Sequence, residues 1–159
     1  MNYQLIDSPL GRVLLADRGD GLAGVWFDGQ RHYPAETSAW LPASTALLDR
    51  AAEQLGAYFA GKLTQFDLPL AAVGTSFQQA VWQQLVAIPF GQTRSYGQIA
   101  QALGKPSASR AVGMAVGRNP WSVIVPCHRV LGSGGQLTGY AGGLDRKRWL
   151  LALESGGNS

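Results

Sequence analysis

From about residue 44 the apolar residues change from strand-like to helical spacing, which points to an α+β fold. Ahead of that point stand three short runs, NYQLIDSP, GRVLLADR and GLAGVWFD, rich in Val, Leu, Trp and Phe. Ser8-Pro9-Leu10-Gly11 and Gly19-Asp20-Gly21 separate them. Runs this short, bounded by turn residues, read as the strands of a small antiparallel meander. Residues 29–43 are polar, hold Pro34 and Pro42, and read as loop. Leu47, Leu48, Ala51, Leu55 and Tyr58 then recur at helical spacing behind Ser44 or Thr45, and Gly61 ends that helix. Residues 62–74 read as a connector.

Beyond it the pattern is helical. Thr75 or Ser76 opens a helix with Phe77, Ala80, Val81, Leu85 and Ile88 on one face, and Pro89-Phe90-Gly91 closes it. Two short helices, 96–103 and 107–118, are joined by Gly104-Lys105-Pro106, a helix-turn-helix signature. A last helix runs from Asp145 to about Leu153. The expected division is therefore 1–74 and 75–159. At 159 residues the chain suits one medium domain or two small ones. No apolar run reaches the length of a membrane span. The start, MNYQLIDSPL, has neither a basic nor an apolar targeting segment, so a cytoplasmic protein is expected.

Charge divides at the same place. Residues 1–74 carry five Lys/Arg and eight Asp/Glu, net −3, and residues 75–159 carry eight and two, net +6. A basic half beside an acidic one points to an anionic partner, with nucleic acid weighed evenly against simple scatter. The basic half holds the single cysteine, Cys127, inside IVPCHRV. One thiol makes no internal disulfide and suits a reducing compartment. There is no Cys/His cluster at metal spacing, and His32 stands alone in a polar stretch, so no metal is expected. A thiol reacts as its thiolate, a form favoured beside cations, and His128 and Arg129 follow directly. A buried structural cysteine is the competing reading.

The helix at 107–118 adds a second feature. At about 100° per residue, Ala108, Ala111, Val112 and Ala115 fall on one side and Arg110, Gly113, Met114 and Gly117 on the other. Glycine within a helix costs about 1 kcal/mol relative to alanine. Two on one face imply close approach, either by another helix or by a nucleic-acid groove. The Gly-rich stretch GSGGQLTGYAGG, 132–143, fits neither a P-loop nor a dinucleotide fingerprint.

Taken in order, SYGQIA, SRAVGMAVGRNP, VIVPCHRV, GYAGG and KRWLLALE resemble the O6-alkylguanine-DNA alkyltransferase family over about Thr75 to Glu154. The N-terminal half resembles it only loosely. The resemblance implies a small ribonuclease H-like sheet-and-helix domain followed by a mostly helical winged helix-turn-helix domain. It implies binding of double-stranded DNA containing O6-alkylguanine from the minor groove, eversion of the base, and irreversible transfer of one alkyl group to Cys127. His128 would be the base, Glu154 its orienting partner, and Tyr96 the group that neutralises the leaving guanine. Arg110 would fill the space left by the base and Gly113 would admit the helix to the groove. Asn119 would brace the active-site loop, and Arg129, Val130 and Tyr140 would meet the substrate. No cofactor is implied, and a monomer is expected, with cooperative binding along DNA an alternative. Ala141 stands where several relatives have serine. Three rivals are weighed against this: a binding-only relative, a cysteine hydrolase, and a helix-turn-helix transcription factor.

Overall fold

The structure, a computed structural model, describes residues 1–156 and divides into two compact units. The first comprises Met1–Val73 together with Pro120–Ile124, and the second the residues from Gly74 to Asn119 and from Val125 onward.

In the first unit, β1 (Asn2–Ile6), β2 (Val13–Asp17) and β3 (Leu22–Phe27) form the antiparallel meander expected from their turns. A short β4 (Leu41–Pro42) pairs parallel to β1, giving the order β3-β2-β1-β4. The stretch read as pure loop thus closes one sheet edge. Every residue of β2 is buried, so both faces of the sheet are covered. α1 (Ala46–Phe59), capped by the Thr45 hydroxyl, buries Leu48, Ala51, Leu55 and Tyr58, the expected positions. Trp26, Tyr33 and Trp40 pack with Tyr3 over Leu14 and Ala16 on the opposite face. Aromatic residues in the 29–43 stretch therefore act as a second layer.

The inclusion of 120–124 in this unit was not evident from the sequence. Val25 N–H donates to the Pro120 carbonyl at 2.8 Å, Ser122 N–H donates to Val25 at 3.1 Å, and the Trp121 indole N–H donates to Leu22 O at 2.7 Å. These bonds fix five residues that stand just ahead of the cysteine. Val123 takes φ +72°, a costly setting for a β-branched residue, and Ile124 N–H donates to Ser122 O across it.

In the second unit, α2 (Ser76–Val86) and α3 (Tyr96–Ala102) each begin with a complete capping box, Thr75 with Gln78 and Ser95 with Gln98. α4 is Ser109–Gly117, starting later than its residue pattern suggested, because Ala108 sits at the cap. Its buried residues are Val112, Ala115 and Val116, whereas Ala111, expected in the core, is exposed. Trp82 ties α2 to α4 by donating its indole N–H to Ala115 O at 2.8 Å. β5 (Arg94–Ser95) pairs parallel with β6 (Val130–Leu131), and α5 (Leu144–Glu154) closes the unit.

Candidate active site

Cys127 opens a single 3-10 turn, Cys127–Arg129, between the end of the 120–124 excursion and β6. Pro126 fixes the entry to it, and Cys127 N–H donates to Val125 O at 2.8 Å. Asn119 is the last residue before the chain leaves the second unit and Val125 the first on its return. The Asn119 amide donates to Val125 O at 2.8 Å, so one side chain clamps both ends of the excursion. The thiol is buried, at 3% exposure.

The tight turn brings three consecutive side chains inward, all buried. His128 is fully enclosed, and its Nε2 lies 2.7 Å from Glu154 Oε2. A carboxylate only accepts, so Nε2 carries the proton and Nδ1 presents the lone pair. Nδ1 is buried and meets no protein partner. Arg129 donates from Nε to Glu154 Oε1 at 2.7 Å, from Nη2 to Oε2 at 2.9 Å, and from Nη1 to Ile88 O at 2.7 Å. Glu154 thus holds an imidazole and a two-pronged guanidinium together. Burial holds His128 below its ordinary pKa, outweighing the hydrogen bond and charge of Glu154 that pull it up, and the imidazole is neutral near pH 7.

Around the sulfur the balance differs from the one suggested by sequence. Burial pushes the Cys127 thiol up, while Asn119 and the charge of Lys147 act to pull it down. The cationic field comes from Lys147, since His128 is neutral and Arg129 faces Glu154. Lys147 has no exposed surface. It donates to Val130 O at 2.6 Å and to Thr138 O at 3.2 Å. Burial lowers its pKa to about 8, with Cys127 acting to raise it. Sequence reading passed over Lys147 because it stands in the run Arg146-Lys147-Arg148, which looks like a solvated face. The signal was its helical phase: Lys147, Leu150 and Glu154 share the buried side of α5.

Tyr96, the first residue of α3, places its hydroxyl 2.8 Å from the Thr138 hydroxyl of the Gly-rich loop. Both backbone polar groups of Val130 are engaged within the chain, its N–H donating to Cys127 O and its carbonyl accepting from Lys147. Arg110 is exposed on the outer side of α4, with Met114, at 76% exposure, one turn further on. A methyl added to Gly113 would meet the Tyr96 ring at 3.7 Å, an ordinary contact, and one added to Gly117 would meet nothing within 4 Å. Among the described residues no group of three His, Cys, Asp or Glu is arranged to hold a metal, and no helix is long and apolar enough to cross a membrane.

Two family models match the chain. Residues 1–72 match the 6-O-methylguanine DNA methyltransferase, ribonuclease-like domain, and residues 76–156 the 6-O-methylguanine DNA methyltransferase, DNA binding domain. A methylated-DNA–protein-cysteine methyltransferase of Mycobacterium tuberculosis is 52% identical over 97% of this chain and 92% of its own. One from Methanosarcina acetivorans is 49% identical over 97% and 98%. The crystal structure of Mycobacterium tuberculosis OGT in complex with DNA superposes with a TM-score of 0.90 at 49% identity, covering 98% of this chain and 94% of that one.

Proposed function

This chain belongs to the 6-O-methylguanine DNA methyltransferase family, and from that premise we propose that Cys127 is the sulfur that takes the alkyl group from O6-alkylguanine in duplex DNA. The protein is a DNA-repair methyltransferase that acts on DNA by alkyl transfer to a cysteine. The observation that carries the assignment is the lone thiol on a turn whose next residue is a neutral imidazole, oriented by Glu154 with Nδ1 as its free base.

A sulfur enclosed in protein cannot reach a base stacked in a duplex, so the base must be everted. Arg110, exposed on α4, is the side chain that fills the space left behind, with α4 in the minor groove. The thiol proton passes to His128 Nδ1 through a bridging water. The thiolate pair then forms the sulfur–carbon bond while the carbon–O6 bond breaks with its pair on the guanine. Tyr96 supplies a proton to that leaving group, giving up its bond to Thr138. Asn119 braces the active-site loop through Val125 O, Tyr140 walls the pocket, and Arg129 positions Glu154. The thioether is stable, so each molecule acts once. We assign the chemistry to 75–159, in a cytoplasmic monomer.

An oligonucleotide carrying O6-methylguanine is expected to add one methyl per chain by intact mass, and Cys127→Ser to add none. Repeated turnover, or binding without mass gain, contradicts the assignment. Arg110→Ala is expected to slow transfer from duplex far more than transfer from the free base.

A further inference from the structure

Tyr96 and Thr138 come from separate parts of the second unit, α3 and the Gly-rich loop, yet their hydroxyls lie 2.8 Å apart. Both are placed from one short strand. β5 pairs Arg94 with Val130 and Ser95 with Leu131 of β6, and Ser95 caps α3 from the residue before Tyr96. Lys147 donates to Val130 O at 2.6 Å and to Thr138 O at 3.2 Å, which ties the loop to the same strand. The Thr138 methyl stands beside Gly132, where an added Cβ would approach it to 3.3 Å. Its carbonyl and its methyl are thus both engaged, and a β-branched side chain held in this way has little freedom at χ1. That setting presents the hydroxyl to Tyr96.

A hydroxyl both donates and accepts, and this pair can be bonded in either direction. A phenol that has given its proton away can only accept. We propose that Thr138 is a positioning residue for alkyl transfer: it orients the Tyr96 hydroxyl before reaction and donates to the phenolate oxygen once the proton has gone. This rests on the reading of Tyr96 as proton donor to the leaving guanine and adds the group that acts through it.

In the transfer step the Cys127 pair forms the sulfur–carbon bond, the carbon–O6 pair stays on the guanine, and the guanine takes the Tyr96 proton. The bond that Tyr96 donated to Thr138 is replaced by one running the other way, from Thr138 to an oxygen that now carries charge. Hydrogen bonds to a charged oxygen are roughly twice as strong as those between neutral groups, so the contact tightens as the transition state forms. Water afterwards returns a proton to Tyr96 and takes one from His128, which restores both.

The test uses the full chain and single-turnover methyl transfer from an oligonucleotide carrying O6-methylguanine. Thr138→Val keeps the shape of the side chain and the carbonyl that Lys147 holds, and removes only the hydroxyl. It is expected to slow transfer about tenfold, and Thr138→Ser, which keeps the hydroxyl, to recover most of the rate. Alkylation of Cys127 by a small haloacetamide needs no proton donor, because the halide leaves as a stable anion. Thr138→Val should therefore react with it as wild type does. Losses of equal size in both reactions, or the same loss in Thr138→Val and Thr138→Ser, are what a purely structural threonine gives and would overturn the proposal. In a Tyr96→Phe background, Thr138→Val should cost nothing further; a second loss of about tenfold there also overturns it. If Tyr96→Phe is slow and Thr138→Val is not, the role of Thr138 falls and that of Tyr96 stands. If Tyr96→Phe transfers like wild type, the proton-donor reading fails and this inference with it. A wild type that takes up no methyl sinks the function assigned above and this inference together.

Discussion

Glu154 serves two neighbours with one carboxylate, and that sets what its loss does. The family resemblance pointed to its link with His128; its hold on Arg129 was not visible in the sequence, where the two lie 25 residues apart. Removing one member of a buried ion pair leaves the other uncompensated, at a cost of about 3–5 kcal/mol. Glu154→Gln is therefore expected to lower the thermal midpoint substantially as well as to slow transfer. If calorimetry finds the variant as stable as wild type, the carboxylate is not neutralising Arg129. Arg129 itself illustrates why a residue next to a nucleophile in sequence need not act on it. The 3-10 turn rotates its side chain away to Glu154 and the Ile88 carbonyl.

At the scale of the element, α4 separates two explanations for helix glycines. A methyl on Gly117 meets nothing within 4 Å, so packing within the chain does not require this glycine. What remains is approach by a partner. Gly117→Ala should raise stability by up to about 1 kcal/mol, from helix propensity alone, and weaken binding to duplex DNA. A thermal melt and an anisotropy titration read the two effects separately, and unchanged DNA affinity would remove the groove-contact explanation. The starts of α1, α2 and α3 were legible because Thr45, Thr75 and Ser95 carry their cap chemistry locally, whereas α4, capped by no side chain, starts later than its pattern suggested. The face of α4 was less so: Ala111 is small enough for either environment, and periodicity alone placed it on the wrong side.

On the scale of the molecule, residues 120–124 belong to the first unit although they interrupt the second. Trp121, Ser122 and Val123 are buried there, at 4%, 1% and 1% exposure. A fragment comprising 75–159 strips these residues of their sheet and leaves Val123 with a strained backbone and nothing to hold it. Such a fragment is expected to melt well below the full chain and to react slowly at Cys127 with a haloacetamide. A fragment as stable and as reactive as the whole would assign the first unit no part in presenting the cysteine.

The first three strands, the order of the helices, the caps of α1 to α3, the reactive motif and the charge division are written locally, in spacings of a few residues, and the sequence determined them. The pairings that make a site were decided by tertiary structure: Glu154 against His128 and Arg129, Lys147 on the carbonyls of Val130 and Thr138, Asn119 across the excursion, Trp121 in the first sheet. Each joins residues whose separation along the chain is unrelated to their distance in space. Burial, which pushes the Cys127 thiol up and the His128 and Lys147 pKa values down, exists only once the chain has folded around them.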